Sequence, residues 1–478
     1  MRMKKELTAD NQLVSSNFGA QSGNRTRTIL LSQDFESSAS TNSAIRAGGG
    51  LQNYVKLREL PNFSVIFVSM KRMAYWVFAA VLATACAPRP EAATGTSVPD
   101  LGWLFLEKGP YTLNTKVQAV PGEASLVLVT DLSLMAQTQD TLFCSQVTVQ
   151  PDSTLNVLLG QLEPGFYQVR LRDTVRWNIG VRPDDVVSPP DAPEDFDAFW
   201  ETTLAQLEEV PLEPVLTEVP EYSNELRTCY EVRFASLDGA TAGGIISIPN
   251  APGRYPVEIQ YMGYGAEPYY FDPSAHPERI DYLVSVRDQG IFREGQSAWI
   301  DRGITDKNEY YYRGAFCDVK RAVDFAAGLE KADPEKIVAW GESQGGAFTF
   351  ISAALDTRIK AIAPAVPFLG DYADYARIVY WPVHEVFAAA DAIGLPREEL
   401  LDMLRYFDVK NFAPRIQCPV YMSFGLQDPT CPPHTNFAIY NNLGTSNKRF
   451  YCVPTCGHAM WLEPAWAEER EAFLSEWL

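Results

Sequence analysis

The run Ile337-Val-Ala-Trp-Gly341-Glu-Ser343-Gln-Gly345-Gly-Ala constrains this chain more than any other. A β-branched strand ends in Gly-x-Ser-x-Gly and passes directly into Ala-Phe-Thr-Phe-Ile-Ser-Ala-Ala. That order is the strand–turn–helix setting of a nucleophile elbow. The glycines have a steric reason: a side chain at Gly341 or Gly345 would collide across so tight a turn. The turn lifts the Ser343 hydroxyl above a sheet and sets it at a helix N-terminus, where developing negative charge is favoured.

The surroundings suit such a sheet. Short β-rich runs at 245–248, 257–261, 282–286, 337–340 and 420–424 alternate with helical stretches such as 313–329 and 463–477. This alternation predicts an α/β-hydrolase fold over 196–478, a mostly parallel sheet covered by helices. Upstream, Tyr167, Val169 and Leu171 alternate with Gln168, Arg170 and Arg172, the period of a half-buried strand. Similar runs at 125–130, 143–149 and 175–181, with Pro-Gly turns at 121–122 and 164–165, predict a small all-β sandwich over 101–182. It reads as a spacer or a glycan-binding accessory domain. Residues 183–195, rich in Pro and Asp, read as a linker.

A serine hydroxyl is a weak nucleophile and needs a base held by an acid. In the order of this fold, the acid and then the histidine follow the serine. The four histidines are His276, His384, His434 and His458. His276 precedes the serine, His384 falls in a helical insertion, and His434 begins a helix after Pro432-Pro433. His458 follows the last strand in a Gly-His loop and is the expected base. The acid is expected on the loop after the preceding strand, where Gly425-Leu-Gln-Asp428 stands; Asp408 and Asp371 are weaker choices. An oxyanion hole needs two backbone N–H donors. Gln344, after the nucleophile, offers one, and Tyr264 in Met-Gly263-Tyr-Gly265 the other. The aromatic segment 371–414 is expected either to roof the pocket and limit acyl size or to be a purely structural insertion. The cysteine spacing is unlike a zinc site, and no metal or cofactor is expected.

Several of these motifs together resemble the acetyl xylan esterases and cephalosporin C deacetylases (carbohydrate esterase family 7). They are Pro193-Glu-Asp-Phe-Asp-Ala-Phe-Trp200, Gly263-Tyr264-Gly265, Arg287-Asp-Gln289-Gly290, Gly341-Glu-Ser-Gln-Gly345, Tyr406-Phe-Asp408-Val-Lys-Asn411-Phe and Gly425-Leu-Gln-Asp428-Pro-Thr-Cys-Pro-Pro433. The resemblance spans about 190–478. It implies a serine esterase that removes acetyl groups from xylo-oligosaccharides and similar small acetylated compounds. It supports Tyr264 and Gln344 as oxyanion donors and marks Arg287 and Gln289 as a structural motif near the site. It also implies a homo-oligomer, which here must accommodate the β domain. The chain departs from the family twice: Ala459 stands after the histidine where Glu is usual, and Asp288 replaces the middle Gly of Arg-Gly-Gln.

Charge locates the remainder. The 478 residues carry a net −20, yet residues 1–73 hold a net +5. The acidic body argues against nucleic-acid binding. Lys71 and Arg72 precede an apolar run over 74–85, too short for a bilayer but of secretory length, and then Cys86. Residues 70–86 resemble a bacterial lipoprotein signal with Cys86 lipid-modified, so the protein is expected in the cell envelope, touching membrane only through that anchor. Residues 1–69 read as a gene-model extension ahead of a start at Met70 or Met73, and 87–100 as a tether. Of the eight cysteines, Cys452 and Cys456 are spaced to bridge, but burial as apolar residues is the favoured reading.

Overall fold

The computed structural model describes residues 102–136, 140–294 and 299–478. The expectations for the extension, the signal, Cys86 and the tether lie outside the described residues. Strands β1 (Leu104–Phe105), β2 (Tyr111–Lys116), β3 (Gly122–Thr130), β4 (Thr141–Val149), β5 (Thr154–Gly160), β6 (Gly165–Leu171) and β7 (Val175–Val181) come first. They form a five-stranded sheet, β1-β7-β6-β3-β4, and a separate pair, β2-β5. Leu113 and Leu155 from the pair share one buried core with Leu126, Leu128, Val169 and Ile179. Alternating burial along β2 and β5 is the half-buried pattern of a sheet face. These two strands are hard to see in sequence because Asn114, Thr115 and Asn156 dilute their apolar residues.

Helix α1 (Phe196–Glu208) leads into a second sheet. Its strands are β8 (Val215–Glu218), β9 (Arg227–Ala235), β10 (Thr241–Pro249), β11 (Tyr255–Tyr261), β12 (Ile280–Ser285), β13 (Ala332–Glu342), β14 (Ile359–Ala365), β15 (Val420–Gly425) and β16 (Lys448–Val453). They lie in the order 16-15-14-13-11-12-10-9-8. Pairings from β16 to β12 are parallel, and β10, β9 and β8 add an antiparallel edge. Parallel neighbours need crossovers, supplied here by helices α2 (Tyr311–Gly328) and α3 (Gln344–Leu355) among others. Both helices are buried along most of their length, so the central strands are covered and read as continuous apolar runs.

The long excursion between β14 and β15 carries α4 (Tyr372–Ile378), α5 (His384–Ile393), α6 (Arg397–Leu404) and α7 (Val409–Phe412). After β15 come α8 (Pro433–Tyr440), β16 and α9 (Pro464–Ser475). The stretch 183–195, a linker by composition, is held down at several points. Buried Ser188 donates to Asp371 Oδ2 at 2.7 Å, and the Asp191 N–H donates to Asn411 Oδ1 at 2.8 Å. Apart from a single 3-10 turn at Pro183–Asp185, proline and aspartate marked a stretch without long elements, not freedom of movement.

Candidate active site

The site is built at the C-terminal end of β13. Ser343 has φ +59° and ψ −121°, between the strand and α3. A β-carbon on Gly341 would lie 2.6 Å from the carbonyl of Gly345, and one on Gly345 would lie 2.1 Å from the Tyr261 carbonyl oxygen. Neither position has room for a side chain, since real β-carbons do not approach so closely. The Ser343 N–H donates to Ala365 O at 3.0 Å, and its carbonyl accepts from Ala347 and Phe368. The strained residue is therefore fixed on both sides by neighbouring backbone.

Asp428 and His458 arrive on the loops after β15 and β16. His458 Nδ1 lies 2.8 Å from Asp428 Oδ2. The other carboxylate oxygen, Oδ1, accepts the N–H groups of Thr430 at 2.8 Å and Cys431 at 2.9 Å. The carboxylate is thus aimed by its own loop, an Asx-type turn. Burial opposes a charge on His458, but Asp428 outweighs it, aided by Glu342, and the imidazole pKa is raised. The Ser343 side chain lies near the Cys431 thiol. Among the described residues it makes no direct hydrogen bond to His458. In free enzymes such a bond is often long and tightens only with substrate.

Gly263 brings the loop after β11 against the elbow: a β-carbon there would be 3.6 Å from Glu342 O and 4.0 Å from Ser343 Cβ. The next residue is Tyr264. Gln289 ties this loop to the elbow. Its Oε1 accepts from the Gly265 N–H at 3.2 Å and from Gln344 Nε2 at 3.0 Å, while Tyr312 donates to Gln344 Oε1 at 2.9 Å. The Gly265 N–H, next to Tyr264, and the Gln344 side chain are therefore held by one buried network. Arg287 stands behind it, bound through Nε and Nη2 to buried Asp318 at 2.8 Å. Asp288 has φ +61°, a left-handed conformation that glycine adopts freely and aspartate tolerates better than most. Its carboxylate also pairs with Arg302. The departure at 288 thus keeps the backbone path.

The remaining acids and histidines do other things. Asp408 caps α7, accepting backbone N–H groups of Asp371, Tyr372 and Lys410, and burial pushes its pKa up to about 7. Asp371 is engaged by Ser188 and Lys410. His434 is buried between Asp131 at 3.3 Å and Asp374 at 3.5 Å. Asp371, Asp374 and His434 stand close enough to share a cation, but Lys410, 2.9 Å from Asp371, already supplies positive charge there. His276 is half-exposed beside Glu278, and His384 stacks on Tyr380. The seven described cysteines are all free thiols, Cys452 and Cys456 included.

Glu342 is a site residue that the motif hid, being the variable position of Gly-x-Ser-x-Gly. Burial raises its carboxyl to about 7, with Arg470 and His458 pulling it back. Its Oε2 is buried without a partner. Both Asp428 and Glu342 favour the imidazolium, so the acid limb of the kcat/KM profile is expected above the ordinary histidine range. A general base must be neutral, so removing one negative neighbour moves that limb to lower pH. Glu342→Gln is expected to show that shift; an unmoved limb would exclude the influence.

The family model described as acetyl xylan esterase (AXE1) matches residues 187–476. The acetyl esterase Axe7A of Xylanibacter ruminicola is 27% identical over 324 residues, spanning 62% of this chain and 71% of that protein. The acetyl xylan esterase from Paenibacillus sp. R4 superposes with a TM-score of 0.58 at 30% identity, covering 62% of this chain and 99% of that one. Acetyl xylan esterase 1 from Thermoanaerobacterium sp. JW/SL YS485 gives 0.57 at 25% identity, with 62% and 97% covered.

Proposed function

Since the chain belongs to the acetyl xylan esterase family and is a serine carboxylic-ester hydrolase, we propose that it removes acetyl groups from acetylated xylan and xylo-oligosaccharides through Ser343, Asp428 and His458. The observation that carries this is the 2.8 Å His458 Nδ1–Asp428 Oδ2 bond, on the loops after the two strands that follow the strained Ser343 in the parallel sheet. With Nδ1–H donated to the carboxylate, Nε2 is the free basic nitrogen. The Ser343 hydroxyl gives up its proton to Nε2 and attacks the acetyl carbonyl. The N–H groups of Tyr264 and Gln344 receive the oxyanion; one such donor is worth about 3–4 kcal/mol. The imidazolium protonates the departing sugar oxygen, and water then deacylates the acetyl-enzyme by the same route.

A short acyl group is inferred from the segment 371–414, which reaches the loop after β11 where the Tyr264 hydroxyl donates to Glu385 Oε2 at 3.2 Å. Acetate release from acetylated xylan, with faster turnover of acetyl than of butyryl nitrophenyl ester, is the expected result. Equal rates for the two esters would remove the small-pocket inference, and no acetate release would remove the substrate. We also infer export with lipid attachment at Cys86, supported by the basic-apolar-Cys order over 71–86. Fatty-acid labelling that persists in Cys86→Ala would overturn the anchor. A homo-oligomer would have to form with the β domain in place.

A further inference from the structure

We propose that the N-terminal β domain is a positioning element of the esterase site, and that Gln427 transmits its hold to the candidate acid Asp428; this rests on the reading of Asp428 and His458 given above. The argument starts from a sheet edge. Along β7, alternate N–H groups point outward. Gly180 donates to Trp103 O at 2.9 Å and Arg182 to Phe105 O at 2.7 Å, which completes the edge where β1 runs. β1 pairs only with Gly180 and Val181, so Asn178 lies beyond its end. An unpaired edge there would be costly to bury.

The side chain of Gln427 completes it. Its Oε1 accepts the Asn178 N–H at 2.7 Å and its Nε2 donates to Asn178 O at 3.1 Å. One primary amide thus pairs with both backbone groups of a residue, as a neighbouring strand would. Asn178 Nδ2 returns a bond to Leu426 O at 3.2 Å. Gln427 Nε2 also donates to Pro454 O at 2.8 Å, and its backbone N–H donates to Cys456 O at 2.9 Å. Gln427 therefore joins three pieces of chain: the β domain, the loop that ends in Asp428, and the loop that ends in His458.

A second contact works in the same sense. Buried His434, three residues after Cys431, lies between Asp131 of the β domain and Asp374 of α4. Phe166 of β6 packs against His434 and Phe437. The acid loop is thus gripped at both ends, at Gln427 and at His434. The gripping residues Asn178, Phe166 and Asp131 all precede residue 187, where the family match begins. A spacer domain would need no such bonds. A precise seat for Asp428 does, because displacement of a catalytic group by about 1 Å can cost on the order of 10²-fold in rate.

The test compares the full chain with Gln427→Ala, the volume-conserving Gln427→Met and, from the domain side, Asn178→Ala, using p-nitrophenyl acetate. Loss of the amide is expected to lower kcat about tenfold or more, with KM little changed. The acid limb should also move to lower pH, because His458, faced by Asp428 and Glu342, loses its best-placed partner. Asn178→Ala, which removes one bond, should fall between. If Gln427→Ala does not fold, the other two variants decide. Folded variants with a lowered Tm but unaltered kcat and pH limb would reduce the seam to a structural joint and overturn the proposal. An inactive wild-type chain would instead overturn the esterase reading on which it rests.

Discussion

Ser343→Ala is expected to lower kcat for an acetyl ester by about 10⁵–10⁶, the scale seen when a serine nucleophile is removed. The chain should otherwise be intact. Alanine keeps the same β-carbon, so the φ of +59° at residue 343 is no more strained than before. The backbone bonds to Ala365, Ala347 and Phe368 do not involve the hydroxyl. What is lost is a hydroxyl near the Cys431 thiol, so stability should stay within about 0.5 kcal/mol. Residual turnover above the uncatalysed rate should remain, because the Tyr264 and Gln344 N–H groups are untouched. Steady-state turnover together with thermal unfolding measures both halves. A folded variant retaining more than about a tenth of wild-type kcat would show that Ser343 is not the nucleophile.

Asp428→Asn is expected to cost about 10⁴ in kcat, equivalent to about 5 kcal/mol of transition-state stabilisation. The cause is tautomeric. An asparagine has one acceptor oxygen, and two backbone donors, Thr430 and Cys431, already compete for it at this position. The amide NH₂ would then face His458 Nδ1, which must accept rather than donate. The ring proton moves to Nε2, and the base is lost. The loop keeps its turn, so unfolding should change little while activity collapses. The pH profile of the residual rate distinguishes this from misfolding. Retention of most of the activity would place the acid elsewhere.

Much of this site is local and so could be read along the chain. The elbow needs its glycines within a few residues of Ser343, and the structure shows contacts of 2.1 and 2.6 Å that no β-carbon can occupy. Asp428 and His458 each follow a strand of a parallel sheet, and strand ends on one side of such a sheet converge by topology. Less was legible where partners are remote. Glu342 sits in the variable position of the motif, and only the fold brings Trp461, Arg470 and His458 around it. Tyr312 and Gln289 meet Gln344 across 32 and 55 residues. Nothing in the run Tyr310-Tyr-Tyr-Arg marks it as a partner of Gln344.

Residue pattern alone determined the class of the molecule. Periodicity sets which faces are buried, turn chemistry sets where strands stop, and a cramped strand-to-helix bend admits only glycine beside its serine. These are short-range rules, satisfied or broken within a dozen residues. The tertiary structure decided how the parts are joined. A composition rich in proline and aspartate at 183–195 became a fastened strap, and a small β unit became a wall against the acid loop. Those outcomes depend on hydrogen bonds such as Gln427 to Asn178, 249 residues apart, whose partners are chosen by burial and by an unfilled sheet edge rather than by spacing.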